Sequence, residues 1–251
     1  MQANTMPAVQ YTVWPDDLHG HRFTVKLVIE NPDPAGQIIA MPAWIPGSYL
    51  IRDFSKHIET IAAFTSAKKT ELRKLIPLER LDNDRWRLPK NIGSCEIITT
   101  VYAFDQSVRT AYLDQNRGFF NPTSLCLGVQ GQAHLPCSLA IAPPADQALA
   151  QWDVQCTLTP VKTDSNGFGF YLAKNYDDLI DHPIALGHFD VIEWEVFGTK
   201  HTMVIQGLSS EQSELLDTKR LADDLRNICA ETIRLFEPHK PKAPFSRYLF
   251  I

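Results

Sequence analysis

The chain has no long apolar run and no basic leader: its first ten residues, MQANTMPAVQ, hold neither a charge cluster nor a hydrophobic stretch. No segment approaches the ~20 apolar residues needed to cross a bilayer as a helix, so the expectation is a cytoplasmic protein without a membrane partner. An excess of positive charge is also missing. Twenty-four Lys and Arg face 29 Asp and Glu for a net charge of −5, with no long block of either sign. That balance excludes the basic stripe of a nucleic-acid binder. Cysteine is sparse and unpaired in pattern: Cys95, Cys126, Cys137, Cys156 and Cys229 are odd in number, widely spaced and never Cys-x-x-Cys. This excludes a disulfide framework and a cysteine-based zinc site, and the apolar flanks read as buried, inert thiols.

The usual catalytic signatures are missing as well. The eight histidines include no His-Glu-x-x-His, the spacing that aims two imidazoles from one helix face at a metal. The one close pair, His19 and His21 around Gly20, reads as a solvated turn, so no metal ligand is assigned. Neither a Gly-x-Ser-x-Gly elbow nor a phosphate loop occurs. Glu193 and Glu195 lie two apart, which suits a strand with its acids in water and Ile192, Trp194 and Val196 buried. Asp177, Asp178 and Asp181 in NYDDLIDHP lack the spacing of a calcium loop and read as a surface turn.

What the chain does have is alternation. In FTVKLVIENPDP, Phe23, Val25, Leu27 and Ile29 alternate with Thr24, Lys26, Val28 and Glu30 before two prolines end the run. Similar runs recur to about Gly207, so the fold class is mainly β: an antiparallel sandwich or saddle-like domain over 1–207. At Ser209 the period changes. Ser209 and Gln212 fit a capping box, and Leu221, Leu225, Ile228, Thr232, Leu235 and Phe236 fall at helical spacing, which predicts one long amphipathic helix. Pro238, Pro241 and Pro244 stop it before a closing YLFI strand. The helix stripe and this strand call for partners that the sequence does not obviously offer, so self-association through them is expected.

Four stretches carry a resemblance: MPAWIPGSYLIRDFSKHI at 41–58, NRGFFNPTSLCL at 116–127, YDDLIDHPIALGHF at 176–189 and IRLFEPHKPKAPFSRYLFI at 233–251. Together they resemble the N-terminal half of the glycyl aminopeptidase family, zinc metallopeptidases of the thermolysin-like clan that often carry a PDZ domain. The resemblance implies that 208–251 opens a catalytic α/β domain cut short before its zinc motif. It further implies a peptide substrate trimmed at its amino end, with glycine or alanine preferred as the first residue. Zinc is then expected in the full-length protein, this chain by itself holding no cofactor and no catalytic residue. Within the resemblance, GFFNPTSL is the stretch expected to reach the substrate. Phe119 and Phe120 supply an apolar wall, and Asn121 and Thr123 supply acceptors for an ammonium group beside the rigid Pro122. The competing reading of that segment is a turn in which Asn121 caps its own backbone. For the whole chain, the alternative is a stand-alone β-sandwich binding or interaction module.

Overall fold

A computed structural model describes residues 6–66, 73–145 and 151–251. Its architecture is mainly β. The largest sheet has eight strands in the order Thr159–Thr163, Gly169–Ala173, Cys137–Ile141, Val9–Asp17, Arg22–Ile29, Cys95–Tyr102, Ile58–Thr65 and Leu75–Ile76. Val9–Asp17 and Cys137–Ile141 run parallel, and every other neighbouring pair in this sheet is antiparallel. The alternation in Arg22–Ile29 is realised residue by residue, with Phe23, Val25, Leu27 and Ile29 almost fully buried and their neighbours partly open. Strand period therefore decides which side of the sheet faces the core.

Two four-stranded sheets complete the sandwich. One orders Asp153–Gln155, Ile184–Gly187, Arg117–Phe120 and Ala111–Leu113; the other orders Gly128–Val129, Ile38–Ala40, Arg85–Arg87 and Glu79–Arg80. They share one core with the large sheet, in which Phe23 meets Phe120 edge-on at 5.3 Å between ring centroids. Tyr11 and Tyr176 send their hydroxyls into this core to donate to the Leu127 and Cys126 carbonyls, both at 2.7 Å.

A second, smaller core lies at the C-terminal end. Asp190–Val196, Thr199–Ile205 and Arg247–Phe250 form a three-stranded sheet, and the closing strand runs parallel to Thr199–Ile205 with Lys200 opposite Arg247. The YLFI strand thus finds its partner in residues 199–205, within the span that sequence spacing assigns to the first domain. Trp194 stacks with His201 at 5.7 Å and with Phe250 at 5.6 Å between ring centroids. Glu193 and Glu195 are exposed on the opposite face, as the two-residue period predicts.

The single long helix expected from Ser209 is two. Ser210–Leu215 carries the capping box of Ser209 and Gln212, and Thr218–Phe236 begins afresh because Asp217 leaves helical geometry and accepts from the Arg220 N–H at 2.9 Å. The apolar stripe is also narrower than its spacing suggests. Leu221, Ala222, Leu225, Cys229 and Ile233 pack on the small sheet, while Ile228, Leu235 and Phe236 are 61%, 77% and 77% exposed. Two further readings change. NYDDLIDHP holds a short helix, Tyr176–Ile180, capped by Asn175 accepting from the Asp178 N–H at 2.8 Å. His21 is not a free turn residue: its Nδ1 lies 2.6 Å from the Leu113 carbonyl and its ring stacks on Phe104 at 3.9 Å.

Cys95, Cys126 and Cys137 are buried free thiols. Burial pushes Cys95 and Cys137 up to about 12, and Cys126 higher still. At pH 8 these three should stay thiols and resist Ellman's reagent until denaturant is added, since only thiolate reacts. Fast labelling of all five cysteines in the native protein would contradict this packing.

Candidate functional site

The strand Arg117–Phe120 continues through Asn121 into the buried 3-10 turn Pro122–Ser124, and Arg117, Phe119 and Asn121 line a cleft of about 1220 Å³. The strand's burial alternates: Gly118 and Phe120 face the core, and Arg117 and Phe119 face the cleft. Asn121 extends the same face by one more period, so Arg117, Phe119 and Asn121 stand in line along the opening.

The four expected site residues therefore divide. Phe119 and Asn121 line the cleft. Phe120 is fully buried against Phe23, and Thr123 is fully buried with an Oγ1 that has no hydrogen-bond partner among the described residues. Adjacent strand residues point oppositely, which is why Phe119 and Phe120 cannot form one wall.

Asn121 does not cap its own turn. Its Nδ2 donates to the Val108 carbonyl at 2.6 Å, while its backbone carbonyl accepts from the Ser124 N–H at 2.8 Å and the Ser124 hydroxyl at 2.7 Å. A carbonyl partner requires the nitrogen of the amide to face Val108, so Oδ1 is turned the other way and remains an acceptor. Pro122 limits the following backbone, and the side chain is held without a flexible stem.

The remaining walls come from distant segments. Ile45 and Pro46 border the cleft at a turn in which the Ser48 N–H donates to the Ile45 carbonyl at 3.1 Å and Gly47 takes φ 80°. Proline first and a positive-φ glycine second is the type II arrangement that the IPGS sequence predicts. The turn is tied to the site by Arg109, whose Nη2 donates to the Gly47 carbonyl at 3.1 Å. Beyond it Tyr49, Leu50 and Ile51 are exposed. Asp177, Asp178 and Asp181 line another side, and Met203, Ile205 and Leu249 enter from the small sheet. Asp178 is already engaged, accepting from the Lys174 N–H at 2.8 Å.

Arg117 and its surroundings escaped sequence reasoning. The guanidinium lies over the Tyr112 ring at 4.7 Å. Tyr112 in turn donates to Asp114 Oδ2 at 2.9 Å, and Asp114 Oδ1 accepts from the Asn116 and Arg117 N–H groups at 2.8 and 2.9 Å. Burial opposes ionisation of Asp114, but these hydrogen bonds prevail and hold its carboxyl below the ordinary value.

Among the described residues no three His, Cys, Asp or Glu side chains converge as metal ligands. His19 Nδ1 faces Gln115 Nε2 at 2.5 Å and His21 Nδ1 faces Leu113, so the close pair diverges. No helix is long and apolar enough to cross a membrane among the described residues.

The profile of the peptidase M61 N-terminal domain matches residues 10–188. Among solved structures the chain is similar to an aminopeptidase N family protein from Idiomarina loihiensis, with a TM-score of 0.85 and 41% sequence identity. The alignment covers 97% of this chain and 38% of that one, so the chain spans well under half the length of its structural relative. No protein of curated function matches.

Proposed function

Since the chain belongs to the peptidase M61 N-terminal domain family, we propose that it forms the substrate-facing wall of a zinc-dependent aminopeptidase of the glycyl aminopeptidase type, one that removes small first residues such as glycine or alanine. The observation that carries this reading is the fixed amide of Asn121, a cleft-lining residue whose Nδ2 is anchored to the Val108 carbonyl, which leaves Oδ1 as an acceptor on a side chain already held in place. A carbonyl oxygen held in that way suits the ammonium end of a peptide, because a charged donor gains more from a preset acceptor than from one that must be ordered on binding. Phe119 supplies apolar surface beside it. The preference for small first residues and the zinc of the full-length protein both rest on the sequence resemblance.

Sequence spacing sets the boundary between the two units at 207; we propose that it lies nearer residue 188. There the family match ends, and Asp190 starts the sheet with the separate core. Polar ties still join the units: Gln206 Nε2 donates to the Leu186 carbonyl at 2.9 Å and Arg247 Nη2 to the Leu158 carbonyl at 2.5 Å. The test is hydrolysis of alanyl and glycyl p-nitroanilides by the full-length protein. Release of p-nitroaniline that is faster than from a leucyl or phenylalanyl anilide, and that stops with a zinc chelator, is the expected result. No release from any aminoacyl anilide would end the proposal.

A further inference from the structure

Building on that reading of the site, we infer that Arg117 receives the free carboxylate of the substrate, so that the natural substrates are short peptides of about three or four residues. The inference starts from charge and register. The Arg117 guanidinium has no ion pair among the described residues. Asp114, whose carboxyl the Arg117 charge helps to hold low, makes no salt-bridge contact with it and accepts instead from Tyr112 and two backbone N–H groups. The Arg117 Cζ sits over the Tyr112 ring at 4.7 Å, a contact made with the face of the ring that uses none of the five guanidinium N–H donors as hydrogen bonds. A planar fork of this kind recognises a carboxylate in two places at once.

The two ends of the cleft differ in character. Arg117 pairs with Gly187 and Phe120 with Ile184, so the chain preceding Ile184 lies beyond the Asn121 end. That chain carries Asp181 and Pro183, and the Tyr176–Ile180 helix bearing Asp177 and Asp178 packs against the Pro122–Ser124 turn. The Asn121 end of the cleft therefore carries Asp177 and Asp181, with Asp178 engaged by the Lys174 N–H and 3.8 Å from His182 Nε2, against Lys174 and an Arg109 that is directed to Gly47. Gly187, opposite Arg117, places no side chain there. An ammonium group is favoured at one end and a carboxylate at the other.

The spacing sets the length. Arg117 and Asn121 are four residues apart along a strand and the extended residue that follows it, roughly 13 Å at about 3.3 Å per residue. An extended tetrapeptide covers about the same distance between its charged ends, and the long arginine stem accommodates a tripeptide. Longer peptides are not blocked, because Arg117 also borders a second cleft of about 1210 Å³ lined by Trp152, His188 and Gln206. Their carboxylate simply passes beyond the guanidinium.

Calorimetry on the full-length protein tests this with tetra-alanine whose first peptide bond is reduced to resist cleavage, prepared as the free acid and as the C-terminal amide. The acid should bind about tenfold more tightly than the amide. Arg117→Gln should bind both like the amide, Arg117→Lys should keep part of the difference, and Arg109→Gln should leave the difference intact. With an octa-alanine pair the preference should vanish. Equal binding of the tetrapeptide acid and amide, failure of the acid to bind, or an undiminished preference in Arg117→Gln would overturn the inference. Aminoacyl anilides have no carboxylate, so their hydrolysis reports on the aminopeptidase reading separately.

Discussion

Asn121→Ala in the full-length protein is expected to lower kcat/KM on alanyl and glycyl substrates by roughly one to two orders of magnitude, about 1.5–3 kcal/mol, the range for losing a hydrogen bond to a charged group. The loss should appear on short and long peptides alike, because every substrate of an aminopeptidase brings the same ammonium group. Stability should change much less. The side chain makes one hydrogen bond within the protein, to Val108, worth about 1 kcal/mol. The turn itself is held by the backbone, through the Asn121 carbonyl and Ser124. Kinetics and melting of the same preparation check both halves of the argument. Unchanged kcat/KM with an unchanged melting temperature would remove Asn121 from the site. A lower rate accompanied by broad unfolding would make it a structural residue.

The strands were legible in the sequence because burial imposes a period of two wherever one face of a sheet is covered, as in Phe23, Val25, Leu27 and Ile29. The capping box at Ser209 and the turn at Pro46-Gly47 were legible for a similar reason: each uses residues whose local chemistry has few other outcomes. The break at Asp217 was less visible, since an aspartate within a helical pattern is common and becomes a cap only when the preceding turn ends. The partner of the closing strand could not be read at all. Parallel pairing of Lys200 with Arg247 is a long-range choice made by Trp194, His201 and Phe250 stacking together, and no local period records it. The cleft shows both situations. Its composition from residues near 45, 117, 177, 203 and 249 is a product of topology, yet the line Arg117, Phe119, Asn121 was available from strand period alone. Choosing Phe119 with Phe120, and Asn121 with Thr123, grouped residues by chemistry across a strand and a turn and so mixed cleft with core.

Phe120→Ala and Phe119→Ala, one residue apart, should therefore fail in opposite ways. Phe120 is fully buried, meets Phe23 edge-on, and belongs to the core shared by the large sheet and its two smaller partners. Truncating it removes a ring from close-packed surroundings and leaves a cavity, which costs about 3–5 kcal/mol in comparable cores. That is a large part of the 5–15 kcal/mol by which a typical domain is stable, so the melting temperature should fall by many degrees, with substrate affinity of the remaining folded protein little altered. Phe119 is only half-buried and borders the open cleft, with Tyr112 and Ala185 opposite it on the neighbouring strands. Its truncation leaves a surface indentation that water can fill, so stability should change by no more than about 1 kcal/mol, whereas KM should rise as the apolar wall beside Asn121 is lost. Melting curves and steady-state kinetics on both variants decide the matter. If Phe119→Ala unfolds as readily as Phe120→Ala, the alternation of this strand is misassigned and the line from Arg117 to Asn121 goes with it. If Phe119→Ala is stable and also kinetically silent, the strand is exposed at the cleft but plays no part in holding the substrate.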